Sequence, residues 1–249
     1  MDGRSMTEKA FDTIILAGGL GTRLRSVVAD LPKCMAPVNG KPFLAYLLDY
    51  LMHFPVGKLV LSVGYLHEIV VEWVENQRNN FPFAIDFAVE TSPLGTGGGI
   101  RLAMGKCDAE TVCVMNGDTF FDVGLDGLFR AHRQGGKPLT MGLKPMTDFD
   151  RYGTVAIDGK GVVTRFNEKQ YCANGLINAG VYMLDNNGQL DNLPEKFSFE
   201  NLFLHPKAAE GAIQGYVSDG YFIDIGIPED YEKAMVDFKR FDALWESQR

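Results

Sequence analysis

In the first half of the chain, short unbroken apolar runs alternate with segments of helical spacing. Thr13-Ile14-Ile15-Leu16-Ala17 is one such run, and it ends in Gly18-Gly19. That is the pattern of a strand buried on both faces that enters a tight turn. Similar runs predict strands over 58–63, 83–89, 111–115 and 138–143. Between them, helices are predicted over 42–52, 67–77, 97–104 and 125–133. Pro42 suits a first helical turn, and Ile69, Val70, Trp73 and Val74 fall on one helical face. The alternation predicts an open, mostly parallel α/β sheet.

The second half reads differently. Segments 153–157 and 162–167 flank Asp158-Gly159-Lys160-Gly161, a hairpin signal. A strand over 175–184, a helix over 199–209, strands over 212–217 and 221–225 and a closing helix over 228–245 follow. This predicts a second lobe built on the same sheet, and no Ser- or Pro-rich linker separates the two. His67 and His132 fall on predicted helices and are expected at the surface, while Phe197, Phe199 and Phe203 suit either a core or a subunit contact.

Composition narrows the chemistry. Lys and Arg number 24 against 32 Asp and Glu, a net −8, which disfavours nucleic acid and anionic bilayers as partners. Cys34, Cys107, Cys113 and Cys172 are scattered without a CxxC pair, which argues against a disulfide scaffold or zinc cluster and suits a reducing compartment. The four histidines never take HExxH spacing. No apolar run reaches the roughly 18 residues of a membrane span, and the polar start lacks a signal peptide's apolar middle. A cytoplasmic protein is expected. Glycine is in excess, 28 of 249 residues, against about 7% in average usage, and that excess asks for a reason.

Part of the reason is Leu16-Ala17-Gly18-Gly19-Leu20-Gly21-Thr22-Arg23-Leu24, followed by Pro32-Lys33. Glycines directly after a buried strand let backbone N–H groups cradle phosphate oxygens. A dinucleotide fingerprint needs a small residue where Leu24 stands. A Walker A loop needs Gly-Lys followed by Ser or Thr, and no Gly-Lys pair in the chain has it. What remains is a glycine loop with two cations, Arg23 and Lys33, able to neutralise a triphosphate.

This loop resembles the signature of the sugar-1-phosphate nucleotidyltransferases. Leu94-Gly95-Thr96-Gly97-Gly98-Gly99 resembles their second nucleotide loop, and Asn116-Gly117-Asp118 their metal-binding strand end. Asn167-Glu168-Lys169 and Asn178-Ala179-Gly180 resemble their sugar-site motifs, and Phe222-Ile223-Asp224-Ile225-Gly226 the element with the second metal aspartate. These landmarks keep the family order from about residue 12 to 235. Arg23-Leu24-Arg25-Ser26-Val27-Val28 and Met35-Ala36-Pro37-Val38 look most like the D-glycero-D-manno-heptose 1-phosphate guanylyltransferases. Cys34 departs from the Pro common after the lysine and is expected to loosen the backbone there. The resemblance implies a single Rossmann-like α/β nucleotidyltransferase domain over residues 12–249, with a mostly parallel central sheet and a smaller β-rich sugar-binding lobe. Residues 1–11 are expected to be a flexible extension, or a cloning leftover ahead of Met6.

The implied reaction is attack of a sugar-1-phosphate oxygen on the α-phosphorus of a nucleoside triphosphate, with release of pyrophosphate. A phosphate monoester is already ionised near pH 7, so positioning and charge neutralisation suffice. Arg23 offers a planar fork to the β- and γ-oxygens and Lys33 a point charge. With Asp118 they form the expected catalytic set. Asp118 and Asp224 suit octahedral Mg²⁺. The resemblance assigns the nucleotide to Leu16, Ala17, Gly18, Gly19, Gly21, Thr22, Glu90, Gly95, Thr96 and Gly117, with Glu90 accepting guanine N1–H and N2–H₂. It assigns the sugar phosphate to Gly153, Glu168, Lys169 and Asn178, with Tyr152 as a wall. GTP and the heptose 1-phosphate rest on the subfamily likeness. Another sugar 1-phosphate with GTP, UTP or CTP stays open, as do a non-catalytic nucleotide-sugar sensor and a homodimer.

Overall fold

The computed structural model describes residues 11–19 and 30–246, with side chains through residue 241. The opening apolar run forms β1 (Phe11–Leu16), which takes an inner position because both its faces are apolar. Phe11 and Ile15 enter one hydrophobic layer and Ile14 the other. The two-residue strands β2 (Pro37–Val38) and β3 (Lys41–Pro42) form a hairpin whose central residues, Asn39 and Gly40, both have positive φ. They lead into α1 (Phe43–Leu51).

β4 (Val56–Val63) pairs with β1 in parallel, followed by α2 (His67–Gln77) and β5 (Ala84–Val89) at the edge. The chain then crosses by α3 (Gly95–Met104) to β6 (Thr111–Asn116), parallel to β1 on its other side. This reversal opens a crevice at the carboxyl ends of β1 and β6, where open α/β sheets bind ligands. Asp12, 3% exposed, stitches the opposite edge by accepting the backbone N–H groups of Lys58, Asp108 and Ala109.

The second lobe grows from the same sheet. After β7 (Thr119–Phe121) and α4 (Leu125–Gly135) come β8 (Leu139–Phe149), β9 (Val155–Ile157), β10 (Val163–Phe166) and β11 (Cys172–Asp185). A short α5 (His205–Ala209), β12 (Ile213–Val217), β13 (Phe222–Asp224) and α6 (Pro228–Glu246) complete it. The sheet order is β12-β8-β11-β6-β1-β4-β5, and β11 alone of these seven strands opposes the rest. Residues of α1, α2, α4 and α6 cover one face, and residues of α3 and α5 the other. Among the described residues, no helix is long and apolar enough to cross a membrane.

Several sequence expectations need correction. β8 and β11 run well past 138–143 and 175–184, because their outer halves pair with each other where one sheet face meets water. β7 was not foreseen, being three residues long. The expected helix over 199–209 is a π-helical turn, Glu200–Leu204, leading into α5. Pro206 has no N–H to continue the ladder, and the turn before it widens. His132 is not at the surface: it is 3% exposed, between the Thr140 hydroxyl at 3.0 Å and Asp185 at 3.1 Å. Burial lowers its pKa against the opposing pull of Asp185. Phe197, Phe199 and Phe203 are all core residues. The turn at Cys34 is closed by Met35 N–H to the Pro32 carbonyl and Ala36 N–H to the Lys33 carbonyl, so the backbone there is not loose.

Candidate active site

Lys33 begins a 3₁₀ turn below the sheet's carboxyl edge. Its side chain is only 13% exposed, and its Nζ lies 2.5 Å from Asp118 Oδ2 and 3.6 Å from Asp224 Oδ1. Asp118 follows β6, at the switch in strand order. Asp224 arrives from more than 100 residues away through the antiparallel ribbon of β7 and β13, whose register sets Asp224 opposite Thr119. The Ile225 N–H donates to the Asp118 carbonyl at 3.0 Å and closes that ribbon. Behind it, Phe120 of β7 packs edge-on against Phe238 of α6, which also meets Tyr46 of α1. The Tyr231 hydroxyl donates to the Pro37 carbonyl and ties α6 to β2. An aromatic cluster thus holds the two aspartates together.

Two carboxylates this close repel. Burial first, and then the charge of Asp118, raise the Asp224 pKa, while Lys33 and the Gly226 N–H pull it down. Cys34, beside Lys33, is buried and its thiol is pushed up to about 12, by burial and then by Asp118, so it stays protonated and inert.

A cavity of about 450 Å³ opens beside this cluster. One wall is Arg151, Tyr152, Gly153 and Thr154, and another is Asn167 and Lys169. Asn178, Ala179 and Gly180 form a third, with Glu200 facing in from the π-helical turn. The third wall exists because β11 bulges: Asn178 pairs with Leu143 and Tyr182 with Met141, four residues spanned against two. Gly180 has φ +72°, and a Cβ there would strike the side-chain amide of Asn116. Asn178 is held by donating to the Tyr182 hydroxyl at 2.8 Å and accepting the Gly180 N–H at 3.1 Å. Burial, and then Asp224, push the Tyr152 hydroxyl up to about 12, so that wall is a neutral phenol.

The glycine loops meet at the other end of the crevice. Leu16 ends β1, and its carbonyl accepts the Gly117 N–H at 2.9 Å, an approach so close that a Cβ on Gly117 would lie 2.6 Å from that oxygen. Ala17 N–H donates to the Ser62 carbonyl. A Cβ on Gly18 would lie 3.3 Å from Glu90 Oε1, and one on Gly99 2.8 Å from it, while among the described residues nothing lies within 4 Å of one on Gly19. Glu90 Oε2 accepts the Leu94 N–H at 3.0 Å and steadies the second loop. In that loop Gly95 has φ +72°, Gly97 donates to the Phe197 carbonyl at 3.0 Å, and Thr96 Oγ1 accepts the Phe199 N–H at 3.0 Å.

The fold therefore brings Lys33, Asp118 and Asp224 into one cluster, with Gly153, Lys169 and Asn178 around the adjoining cavity. Glu90 lies among the glycines. Glu168 is exposed and is not among the cavity's lining residues. Gly21, Thr22 and Arg23 lie outside the described residues. Two charged residues of the cavity escaped the sequence reading. Arg151 had a usable signal, a cation directly before Tyr152-Gly153, whereas Glu200 sits in an apolar stretch that reads as core.

The donor set fits a hard divalent cation. Two carboxylates already converge on the ammonium of Lys33, and Mg²⁺ is commonly held by one or two carboxylates completed by water and substrate phosphates. Among the described residues, no group of three His, Cys, Asp or Glu forms a cage around one point.

Known proteins resemble this chain over most of its length. Residues 12–240 match the Nucleotidyl transferase family. The chain is 44% identical over 231 residues to the D-glycero-alpha-D-manno-heptose 1-phosphate guanylyltransferase of Aneurinibacillus thermoaerophilus, covering 92% of this chain and 99% of the relative. It is 42% identical to the Campylobacter jejuni enzyme of the same name, over 88% of this chain and 96% of the relative. The crystal structure of HddC from Yersinia pseudotuberculosis superposes with a TM-score of 0.82 at 39% identity, covering 92% of this chain and 99% of that one. A second structure of HddC is of its complex with GMP-PN, with a TM-score of 0.81.

Proposed function

This chain belongs to the nucleotidyl transferase family, and on that premise we propose that it transfers GMP from GTP to D-glycero-α-D-manno-heptose 1-phosphate. An oxygen of the sugar phosphate bonds to the α-phosphorus, the bond to the β-phosphate oxygen breaks, and GDP-heptose and pyrophosphate leave. The observation that carries the reading is the 44% identity to a heptose 1-phosphate guanylyltransferase across 99% of that enzyme. The solved complex of HddC with GMP-PN supports a guanine nucleotide.

The roles follow from charge. Lys33 is a largely buried cation beside the two aspartates, and it is assigned with Arg23 to the leaving β- and γ-phosphates. Leu16, Ala17, Gly18, Gly19, Gly21, Thr22, Gly95, Thr96 and Gly117 are assigned to the nucleotide. Glycine at 117 lets β6 approach the Leu16 carbonyl, and glycine at 18 lets the first loop lie against Glu90 and Gly64. Gly153, Lys169 and Asn178 are assigned to the sugar phosphate, with Glu168 as an outer contact. Asp118 and Asp224 are the residues that would hold Mg²⁺, which when bound supplies charge neutralisation of the phosphates. No general base is needed, because the nucleophile is an ionised phosphate oxygen.

The test is direct: the protein is incubated with Mg²⁺, each of four NTPs and a panel of sugar 1-phosphates, and products are identified by mass. GDP-heptose is expected. No NDP-sugar from any pair would sink the transferase reading, and a different preferred pair would correct the substrates.

Glu90 carries the base assignment. One of its oxygens is committed to the Leu94 N–H, and the other faces the glycines of both loops. Glu90→Gln is expected to narrow the preference for GTP over the other three NTPs by about tenfold in kcat/KM, the cost of one charge-assisted hydrogen bond. An unchanged nucleotide ranking would remove Glu90 from base recognition.

A further inference from the structure

We propose that Arg151 anchors the phosphate monoester of the sugar substrate and that Asp230 of α6 holds it ready for that task. The proposal rests on the guanylyltransferase reading above. Among the described residues, three cations line the cavity, Lys33, Arg151 and Lys169. Lys33 is already engaged by Asp118 and Asp224, so Arg151 and Lys169 remain to meet a dianionic monoester.

These two cations differ in preparation. Lys169 is exposed on the segment after β10. Arg151 is fixed from two sides: its Nη1 donates to Asp230 Oδ2, and its guanidinium carbon stands 5.5 Å from the centre of the Tyr152 ring. A guanidinium has five N–H donors, and the bond to Asp230 occupies one nitrogen, leaving donors free for the cavity. Its planar fork matches two phosphate oxygens at once, which an ammonium cannot do.

The location fits the chemistry. Arg151 belongs to the wall that continues into Tyr152 and Gly153, and together with Asp224 it lines both this cavity and the smaller hollow beside it. A monoester bound at Arg151 therefore lies on the Asp224 side of the cavity, the side on which it must meet the nucleotide's α-phosphate. Asp230 does not line that cavity; with Lys233 it lines a smaller neighbouring hollow of about 200 Å³. It acts through Arg151 and is a positioning residue. Orienting a long cation during folding leaves less ordering entropy to lose on binding.

Arg151→Met is expected to raise KM for the heptose 1-phosphate by about 10- to 100-fold, as expected for losing hydrogen bonds to a charged group, with KM for GTP within about twofold. Arg151→Lys should recover part of the loss. Asp230→Asn should raise the sugar-phosphate KM severalfold and leave kcat at saturation nearly intact. A rise in both KM values together, or an unchanged sugar-phosphate KM with a lower melting temperature, would mark a structural strut and overturn the proposal. Should the wild type turn over no sugar 1-phosphate, the function reading falls and Arg151 is judged by calorimetry with mannose 1-phosphate. Weaker binding by Arg151→Met than by the wild type upholds the anchor. Equal binding, or none by either protein, overturns it.

Discussion

Asp118→Asn is expected to lower turnover by about 10²- to 10³-fold, the scale seen when one preorganised electrostatic contact to a transition state is removed, while the protein stays folded. The reason lies in the charge of the three-residue cluster. With both aspartates ionised and Lys33 protonated, Asp118, Asp224 and Lys33 sum to −1. Asn at 118 brings that sum to zero, and a divalent cation loses both a ligand and the field that draws it in. The backbone at 118 does not depend on the side chain: Gly117 still donates to the Leu16 carbonyl and Ile225 to the Asp118 carbonyl. Asn also removes the negative charge that pushes the Asp224 pKa up. The melting temperature should therefore stay near the wild-type value, and Mn²⁺ binding by calorimetry should weaken alongside turnover. A variant that turns over normally would exclude Asp118 from the machinery, as would one that loses activity with undiminished Mn²⁺ affinity.

The parallel half of this fold was legible because its signals are local. Strands buried on both faces, such as 13–17 and 58–63, need continuous apolar runs, and glycines after them announce the loops. The hairpin at 158–161 was legible for the same reason: Asp158 Oδ1 accepts the N–H groups of Lys160 and Val162, and Gly161 takes φ +77°. What escaped depends on partners distant in sequence. β7 has three residues and is a strand only because β13, a hundred residues later, pairs with it. The outer halves of β8 and β11 are polar on one face and stabilise each other without an apolar run. His132 is buried by a neighbouring strand whose Thr140 and Asp185 satisfy its ring nitrogens, and helical spacing alone carries no trace of that. Of the candidate site, the glycines, Lys33, Asp118 and Asp224 were legible as motif residues. Their convergence was expected from the resemblance, but the packing that produces it, Phe120 and Tyr46 against Phe238, carries no motif.

Lys33→Met is expected to abolish turnover as well, by about 10²-fold or more, yet to bind metal more tightly than the wild type. Lys33 occupies a point 2.5 Å from one carboxylate and 3.6 Å from the other, so any cation taking both aspartates must displace its ammonium. Removing the competitor takes the cluster from −1 to −2. At an effective dielectric constant near 20, a unit charge about 4 Å away is worth about 4 kcal/mol before solvent and entropy reduce it. A gain of about tenfold in Mn²⁺ affinity is a modest share of that, since 1.4 kcal/mol is one decade. Without metal the variant should be less stable than the wild type, because two partly buried carboxylates lose their counter-ion. Mn²⁺ should then raise its melting temperature by more than it raises that of the wild type, in proportion to the tighter binding. Turnover nonetheless fails at saturating metal, because the ammonium, once released from the aspartates, is assigned to the nucleotide phosphates. The two substitutions thus move metal affinity in opposite directions and activity in the same one. A Lys33→Met protein that regains full turnover at high Mg²⁺ would make Lys33 a structural counter-ion only. One that binds Mn²⁺ no better than the wild type would show that the ammonium and the metal do not share a site.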